Sequence, residues 1–195
     1  MLLTLDGHKR QYQSLDHEDW QALHSVLRGQ SNEYVAFYNC GQDGGCSRLH
    51  KHMQLIPKPK DSFAAFLDDK DGKVPNVPFQ WLHHRFNFSD MSPEGLLSIY
   101  HDLLRKATEV GAGLSENAKK LPRGAAIPHN MLVTKKWMVV LPRRRAAINK
   151  EAGANALDMV GVIAVATQKE IDNWINIGPA KALAELGVPK TGSAT

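Results

Sequence analysis

The stretch from Tyr34 to Pro57, YVAFYNCGQDGGCSRLHKHMQLIP, constrains the fold more than any other. Tyr34 to Tyr38 is β-branched, aromatic and apolar. Asn39 to Arg48 sets Gly41, Gly44 and Gly45 among small polar residues, and Leu49 to Ile56 returns to an extended pattern. The order is strand, glycine-rich loop, strand. Side chains two apart on a strand share a face, so His50, His52 and Gln54 stand together while Lys51, Met53 and Leu55 take the other side. The spacing predicts two imidazoles and a carboxamide in a row, on a face expected to open to solvent. The loop beside them suits an anion, because successive N–H groups in turn conformations make concave nests.

At 195 residues the chain is long enough to bury one sizeable core, and 43% hydrophobic with 23% charged residues is a globular balance, not a disordered one. A formal charge of +4 favours an anionic ligand without separating nucleotide from nucleic acid. Two cysteines give no disulfide framework, and no apolar run approaches the length of a membrane span. The start MLLTLDGHKR lacks a signal-peptide pattern. The expectation is a soluble intracellular chain, cytoplasmic with the nucleus as the other candidate compartment, and without a membrane partner.

Met1 to Leu5 reads as a strand already in progress. Asp16 to Arg28 reads as a helix, capped by Asp16 with Asp19 three residues on, and striped by Trp20, Leu23, Val26 and Leu27. Pro57 to Lys60 ends the central strand. Phe63, Phe66 and Leu67 suggest a packed turn, Asp68 to Pro78 a polar loop, and Trp81 to Phe88 another strand with His83 and His84 on opposite faces. Ser92-Pro93-Glu94 opens a helix that runs to Gly111. His129 to Thr134 and Trp137 to Leu141 read as a hairpin. Lys135-Lys136 is poor chemistry for a two-residue turn needing positive φ, so a longer turn is expected. The basic run Arg143 to Arg145 reads as a solvated face, with a polyphosphate contact as the alternative. Ala156 to Ala166 is apolar and β-branched enough for a last core strand. Thr167 to Glu170 is a capping box opening a helix through Ile175, and Pro179 to Leu186 a final short helix. Strands with helices inserted between them give an α+β class with a mixed, mainly antiparallel sheet. One domain is expected over 1–190, with 191–195 a loose tail.

The pattern N-C-G-x-x-G-G-C-S-x-x-H-K-H-M-Q resembles the signature of the histidine-triad superfamily, in its transferase branch, where H-x-H-x-Q replaces a third His. It is most similar to the diadenosine tetraphosphate phosphorylase, or ATP adenylyltransferase, family. HNMLVTKKWMVVLPR resembles that family's strand pair and GPAKALAELGVP its C-terminal tail, so the resemblance spans roughly Leu2 to Pro189. It implies a histidine-triad-like fold and phosphorolysis of diadenosine tetraphosphate to ATP and ADP, with the reverse adenylyl transfer. His52 would attack the α-phosphorus and carry AMP, with the backbone carbonyl of His50 fixing its tautomer. Gln54 would hold the phosphoryl oxygens. Asn39 and the loop residues Gly45, Cys46, Ser47 and Arg48 match the family's phosphate-binding positions, and Asn155, Ala156 and Leu157 its other substrate-contacting segment. The implied partners are dinucleoside polyphosphate, ATP, ADP and inorganic phosphate, met by a monomer. No nucleic-acid partner and no tightly bound cofactor are implied, and Mg2+ would come only with the nucleotide.

Two departures accompany the resemblance. The family usually carries a lysine where this sequence has Ala166, and it places a long N-terminal segment with a phosphate-contacting lysine before the first strand read here. Weaker substrate binding is therefore expected of this chain. Two other readings of the residues stay open: a nucleotide-binding relative without catalysis, and a zinc module using Cys40, Cys46, His50 and His52.

Overall fold

The computed structural model describes residues 2–3, 6–30, 34–60, 62–68 and 76–190. The expected tail and most of the polar loop after Asp68 lie outside them.

Six strands form one sheet. In chain order they are β1 (Leu2–Leu3), β2 (Tyr34–Cys40), β3 (His52–Pro57), β4 (Leu82–Arg85), β5 (His129–Val133) and β6 (Trp137–Pro142). Across the sheet they run β1-β3-β2-β5-β6-β4, and every pairing among them is antiparallel. A small ribbon, β7 (Ala147–Asn149) with β8 (Ala152–Gly153), follows. The turn between β5 and β6 holds Thr134, Lys135 and Lys136. The Thr134 hydroxyl accepts from the amides of Lys136 and Trp137, at 3.1 and 3.3 Å, so the turn closes without positive φ at either lysine.

Period-two alternation gives the sheet two buried faces, each with its own helical cover. On one face Ala36, Tyr38, Met53, Met131, Val133, Met138 and Val140 meet α1 (His17–Gly29) and α2 (Pro93–Gly111) through Trp20, Leu23, Leu96, Tyr100 and Leu103. Both helices start where their caps require. Asp16 and Asp19 exchange hydrogen bonds with each other's backbone, and Ser92 accepts from the Gly95 amide ahead of Pro93. Lys51, 1% exposed, reaches down this face to the carboxylates of Asp16 and Asp19, tying the edge of β3 to the start of α1.

The opposite face carries Val35, Phe37, Leu132, Trp137, Val139 and Leu141 beneath the C-terminal segment. That segment comprises α3 (Ala156–Met159), α4 (Gln168–Ile177) and α5 (Pro179–Leu186), which contribute Met159, Trp174, Leu183 and Leu186. The expected core strand over 156–166 is not formed. Asn155 and Asp158 close a capping box instead, and Gly161 turns the chain at φ 91°. The Asp158 carboxylate then takes the Ala164 amide, and the chain through 162–166 stays outside the sheet. No helix among the described residues is long and apolar enough to cross a membrane.

Candidate active site

The residues expected to act together lie where β2 and β3 part. The antiparallel register runs from Tyr34↔Pro57 to Phe37↔Gln54 and stops there. Two residues further it would pair Asn39 with His52. The Gln11 carboxamide occupies that position instead. Its Oε1 accepts from the His52 amide at 2.7 Å, and its Nε2 donates to the carbonyls of His52 at 3.1 Å and Asn39 at 3.0 Å. The Gln11 backbone also accepts from the Gly41 amide and donates to the Leu49 carbonyl. One side chain, 1% exposed, thus replaces a rung of the ladder and braces both ends of the glycine loop.

His52 is 6% exposed, on the face covered by the C-terminal segment, and Gln54 is half-buried beside it. On the face expected to be open, His52 itself is therefore buried, while Gln54 and Ile56 beside it stay part-exposed. His50 lies just outside the strand, bridged to Arg10. Its backbone carbonyl meets His52 Nδ1 at 3.0 Å. A carbonyl only accepts, so the proton is on Nδ1 and the Nε2 lone pair is available.

Asn39 sits across the opening from His52. Its Oδ1 accepts from Asn130 Nδ2 and from the Ala156 amide, both at 2.9 Å, which leaves Nδ2 as the end that can meet a ligand. Asn130 Nδ2 also donates to the Gly44 carbonyl at 2.7 Å, and its Oδ1 accepts from Arg143 at 2.6 Å. The guanidinium of Arg143, 1% exposed, reaches the carbonyls of Leu186, Arg145 and Ala154 as well. Of the basic run, only Arg144 and Arg145 remain part-exposed. Arg143 is a buried strut joining β6, the glycine loop, α5 and the approach to α3. Gln11 and Asn130 carry no sign of these roles along the chain, and the basic run that holds Arg143 reads as a solvated face or a polyphosphate contact, not as a buried strut.

The loop itself is shaped by Gly41 at φ 75°, a single turn of 3-10 helix over Gln42–Gly44, and Gly45 at φ 80°. A Cβ on Gly45 would come within 2.4 Å of the Ala154 carbonyl, so glycine is required there for space as well as for conformation. Asp43 anchors the turn by accepting from the hydroxyl of Ser115 and from the amide and side chain of Asn117. The amides of Gly44, Gly45 and Cys46 turn back to the carbonyls of Gly41 and Gln42. The expected nest is thus occupied from within, and the outward half of the loop is exposed Ser47 and Arg48. Asn155 caps α3 through the Leu157 amide, so the amides of Ala156 and Leu157 are likewise engaged, to Asn39 and Asn155.

Cys40 is buried on the α1–α2 face, its thiol toward the Gln13 carbonyl at 3.6 Å and pushed upward in pKa by burial. His52 is on the other face, so the four residues of the zinc reading do not converge. Among the described residues no three His, Cys, Asp or Glu side chains gather as a metal site.

With this geometry in place, comparison with known proteins is decisive about ancestry. Residues 75–189, more than half of the chain, match the family model of the ATP adenylyltransferase C-terminal domain, and residues 1–67 match that of the Ap4A phosphorylase N-terminal domain. The chain belongs to the ATP adenylyltransferase family. Diadenosine 5',5'''-P1,P4-tetraphosphate phosphorylase 2 of Saccharomyces cerevisiae is 27% identical over 219 residues, covering 97% of this chain and 66% of that protein. Protein APA1 of the same yeast is 27% identical over 216 residues, covering 97% of this chain and 65% of its own length. The chain therefore spans just under two thirds of these relatives. The crystal structure of yeast Ap4A phosphorylase Apa2 superposes with a TM-score of 0.74 at 23% identity, over 96% of this chain and 67% of that one. Its complex with AMP gives 0.76 at 24% identity, over 94% and 67%. These likenesses establish the fold.

In this chain the regions matched by the two family models share one sheet. β2 from the first pairs with β5 from the second along five residues, Ala36↔Val133 to Cys40↔His129. The candidate site straddles that seam, with His52 and Gln54 on one side and Asn130, Asn155 and Ala156 on the other.

Proposed function

We propose that this chain is a nucleotidyltransferase that phosphorolyses diadenosine tetraphosphate to ATP and ADP, and runs the reverse adenylyl transfer, through AMP held on His52. The observation that carries the reading is the His52 ring with Nδ1 committed to the His50 carbonyl at 3.0 Å, which presents Nε2 as a nucleophile. In the first step Nε2 attacks the α-phosphorus. The N–P bond forms, the bond to the bridging oxygen breaks, and ATP leaves with that electron pair. Positive charge gained by the imidazole is met by the His50 carbonyl. In the second step an oxygen of inorganic phosphate attacks the same phosphorus, the N–P bond breaks, and ADP is released.

Gln54 shares the His52 face and can donate to the phosphoryl oxygens, but a carboxamide cannot take a proton from water. That favours an acceptor already anionic, such as phosphate, over hydrolysis. Asn39 Nδ2 would meet charge on the phosphorane oxygens, and Ser47 and Arg48, on the exposed half of the loop, would contact the polyphosphate beyond it. Mg2+ enters this scheme with the nucleotide. That the two S. cerevisiae relatives include one named for this phosphorolysis supports the substrate class.

The test is mass spectrometry of acid-labile adducts after mixing the protein with diadenosine tetraphosphate or ADP. An AMP adduct on the native chain, abolished in His52→Ala and retained in His50→Ala, is expected, since position 50 acts through its backbone carbonyl. Loss of the adduct in His50→Ala alone would reverse the assignment of the nucleophile. Nucleotide binding with neither adduct nor turnover would leave a binding protein without catalysis.

A further inference from the structure

Lys51 stands between the two histidines of the site, and its side chain runs to the opposite face of the sheet, where it is 1% exposed. Its ammonium meets the carboxylates of Asp16, at 3.1 Å, and of Asp19. Directly across from it, on the segment that bridges Arg10 to His50, is Lys9, whose ammonium meets the same Asp16 Oδ2 at 2.7 Å. Two like charges set opposite each other on paired strands repel. One carboxylate oxygen shared between them turns that repulsion into a clamp. Asp16 is fixed in its turn, because its other oxygen accepts from the Asp19 amide as the N-cap of α1.

The clamp acts on one peptide unit. The Lys51 amide donates to the Lys9 carbonyl at 3.3 Å, and the Gln11 amide to the Leu49 carbonyl at 2.8 Å. In a planar trans peptide the N–H and the preceding C=O point in opposite directions. Holding the Lys51 N–H on Lys9 therefore turns the His50 carbonyl the other way, to the His52 ring, where it accepts from Nδ1 at 3.0 Å. The amide bond to Lys9 is longer than usual and fixes the plane only weakly by itself. The two lysine side chains joined on Asp16 keep the backbones in register. The consequence reaches the chemistry, because the partner of one ring nitrogen decides which nitrogen carries the proton.

Resting on the function proposed above, we infer that Lys9, Asp16 and Lys51 form a positioning clamp that aims the His50 carbonyl and so keeps His52 in the tautomer with an unprotonated Nε2. The three act through the His50–Lys51 peptide, from the face of the sheet opposite His52.

The test is two-bond proton–nitrogen NMR of the imidazoles in the full chain at about pH 8, where an ordinary histidine is neutral. His52→Ala assigns the His52 signals. The spectra show which ring nitrogen carries the proton, and the rate of AMP adduct formation is followed in parallel. The native chain should show His52 with its proton on Nδ1 alone. Asp16→Asn keeps a good N-cap for α1 but removes the charge that holds the two ammonium groups together. It should admit the Nε2-protonated form and slow adduct formation on the order of tenfold, with the nucleotide Kd little changed. Lys9→Met should act in the same direction and Lys9→Arg should keep the native pattern. Position 9 is part-exposed, so this pair serves should Asp16→Asn perturb folding. Ser92→Ala removes the N-cap of α2 instead, and should leave both the His52 pattern and the rate as they are. A native pattern with a native rate in Asp16→Asn and Lys9→Met would overturn the clamp, as would an equal effect in Ser92→Ala. A native chain that forms no adduct, while Asp16→Asn still moves the proton, sinks the enzymatic reading and leaves the clamp standing.

Discussion

Gln11 offers the most direct test of how the fold holds the proposed nucleophile. Truncation by Gln11→Ala strips three backbone groups of their partners: the His52 amide, the His52 carbonyl and the Asn39 carbonyl. An unsatisfied buried group costs roughly 1–3 kcal/mol, and water entering the vacated space recovers part of it. The expected loss is therefore about 2–4 kcal/mol, less than the sum of three full penalties. Urea unfolding followed by tryptophan fluorescence measures it. A second readout separates positioning from mere stability. Without the carboxamide, β2 and β3 are free to shift by fractions of an ångström at His52, and misplacement on the scale of 1 Å costs on the order of a hundredfold in rate. At a temperature where the variant is fully folded, the rate of AMP adduct formation should fall while the nucleotide Kd changes little. Gln11→Glu should be at least as harmful, because it turns an oxygen toward the two carbonyls that Nε2 now serves. A stability loss under about 1 kcal/mol together with an unchanged adduct rate would refute the reasoning and reduce Gln11 to a filler.

Other expectations are more compact. Gly45→Ala meets the Ala154 carbonyl at 2.4 Å on a residue with φ 80°, whereas Gly113→Ala, at φ 76°, finds nothing within 4 Å. Thermal melts should show the second losing about 1 kcal/mol and the first clearly more, with nucleotide binding lost only in the first. His129 is held neutral, with a pKa lowered to about 4 by burial. Its Nδ1 faces the Ile127 carbonyl and its Nε2 accepts from the Tyr100 hydroxyl at 2.9 Å. The unfolded chain therefore binds the extra proton first. Stability from this residue is intact above pH 6.5 and falls by about 3 kcal/mol on descending to pH 4. Urea titrations across that range, with the imidazole followed by NMR, check both the sign and the window. Arg143→Lys cannot reproduce the fork to Asn130 and three carbonyls, and chemical unfolding should report a loss above about 3 kcal/mol.

Much of the architecture was legible because its signals are local. Asp16 with Asp19, Ser92 before Pro93, and Thr167 with Glu170 each mark a helix start through atoms within four residues of one another. The alternation along β3 likewise placed Lys51 and Met53 opposite His52. The segment after Asn155 misled because β-branched residues there serve as covering chain. Its helix is only four residues long, too short to show a period, and the box that starts it uses Asp158 where a longer acid is usual. At the site, the motif disclosed His52 and Asn39 but not what spaces them. Gln11 acts on groups 28 and 41 residues away, and a glutamine before a tyrosine in a polar stretch carries no sign of that. The same limit applied to the solvent-facing expectation for His52. His52 is buried where Gln11, 41 residues away, holds its amide and carbonyl, and no local pattern carries that.

Arg143 shows most clearly how the site gets its charge. A buried guanidinium is ordinarily paired with a carboxylate. Here the hydrogen-bonding partners are Asn130 and three backbone carbonyls, all neutral, and among the described residues no carboxylate forms an ion pair with it. Burial lowers its pKa to about 10, with the more distant charges of Asp158 and Asp43 opposing that shift, so it stays cationic at neutral pH. The dipoles that solvate it then point away from it in a defined direction. Asn130 takes one Arg143 N–H on its oxygen and offers its Nδ2 to Asn39 and Gly44. Asn39, receiving that proton donor and the Ala156 amide on its oxygen, turns its own N–H2 end outward. Positive potential is thereby relayed from an inaccessible guanidinium through two carboxamides to the opening beside His52, without placing a flexible cation in the site. A fixed, desolvated relay suits a reaction in which negative charge collects on phosphoryl oxygens, because its dipoles are already oriented when that charge develops.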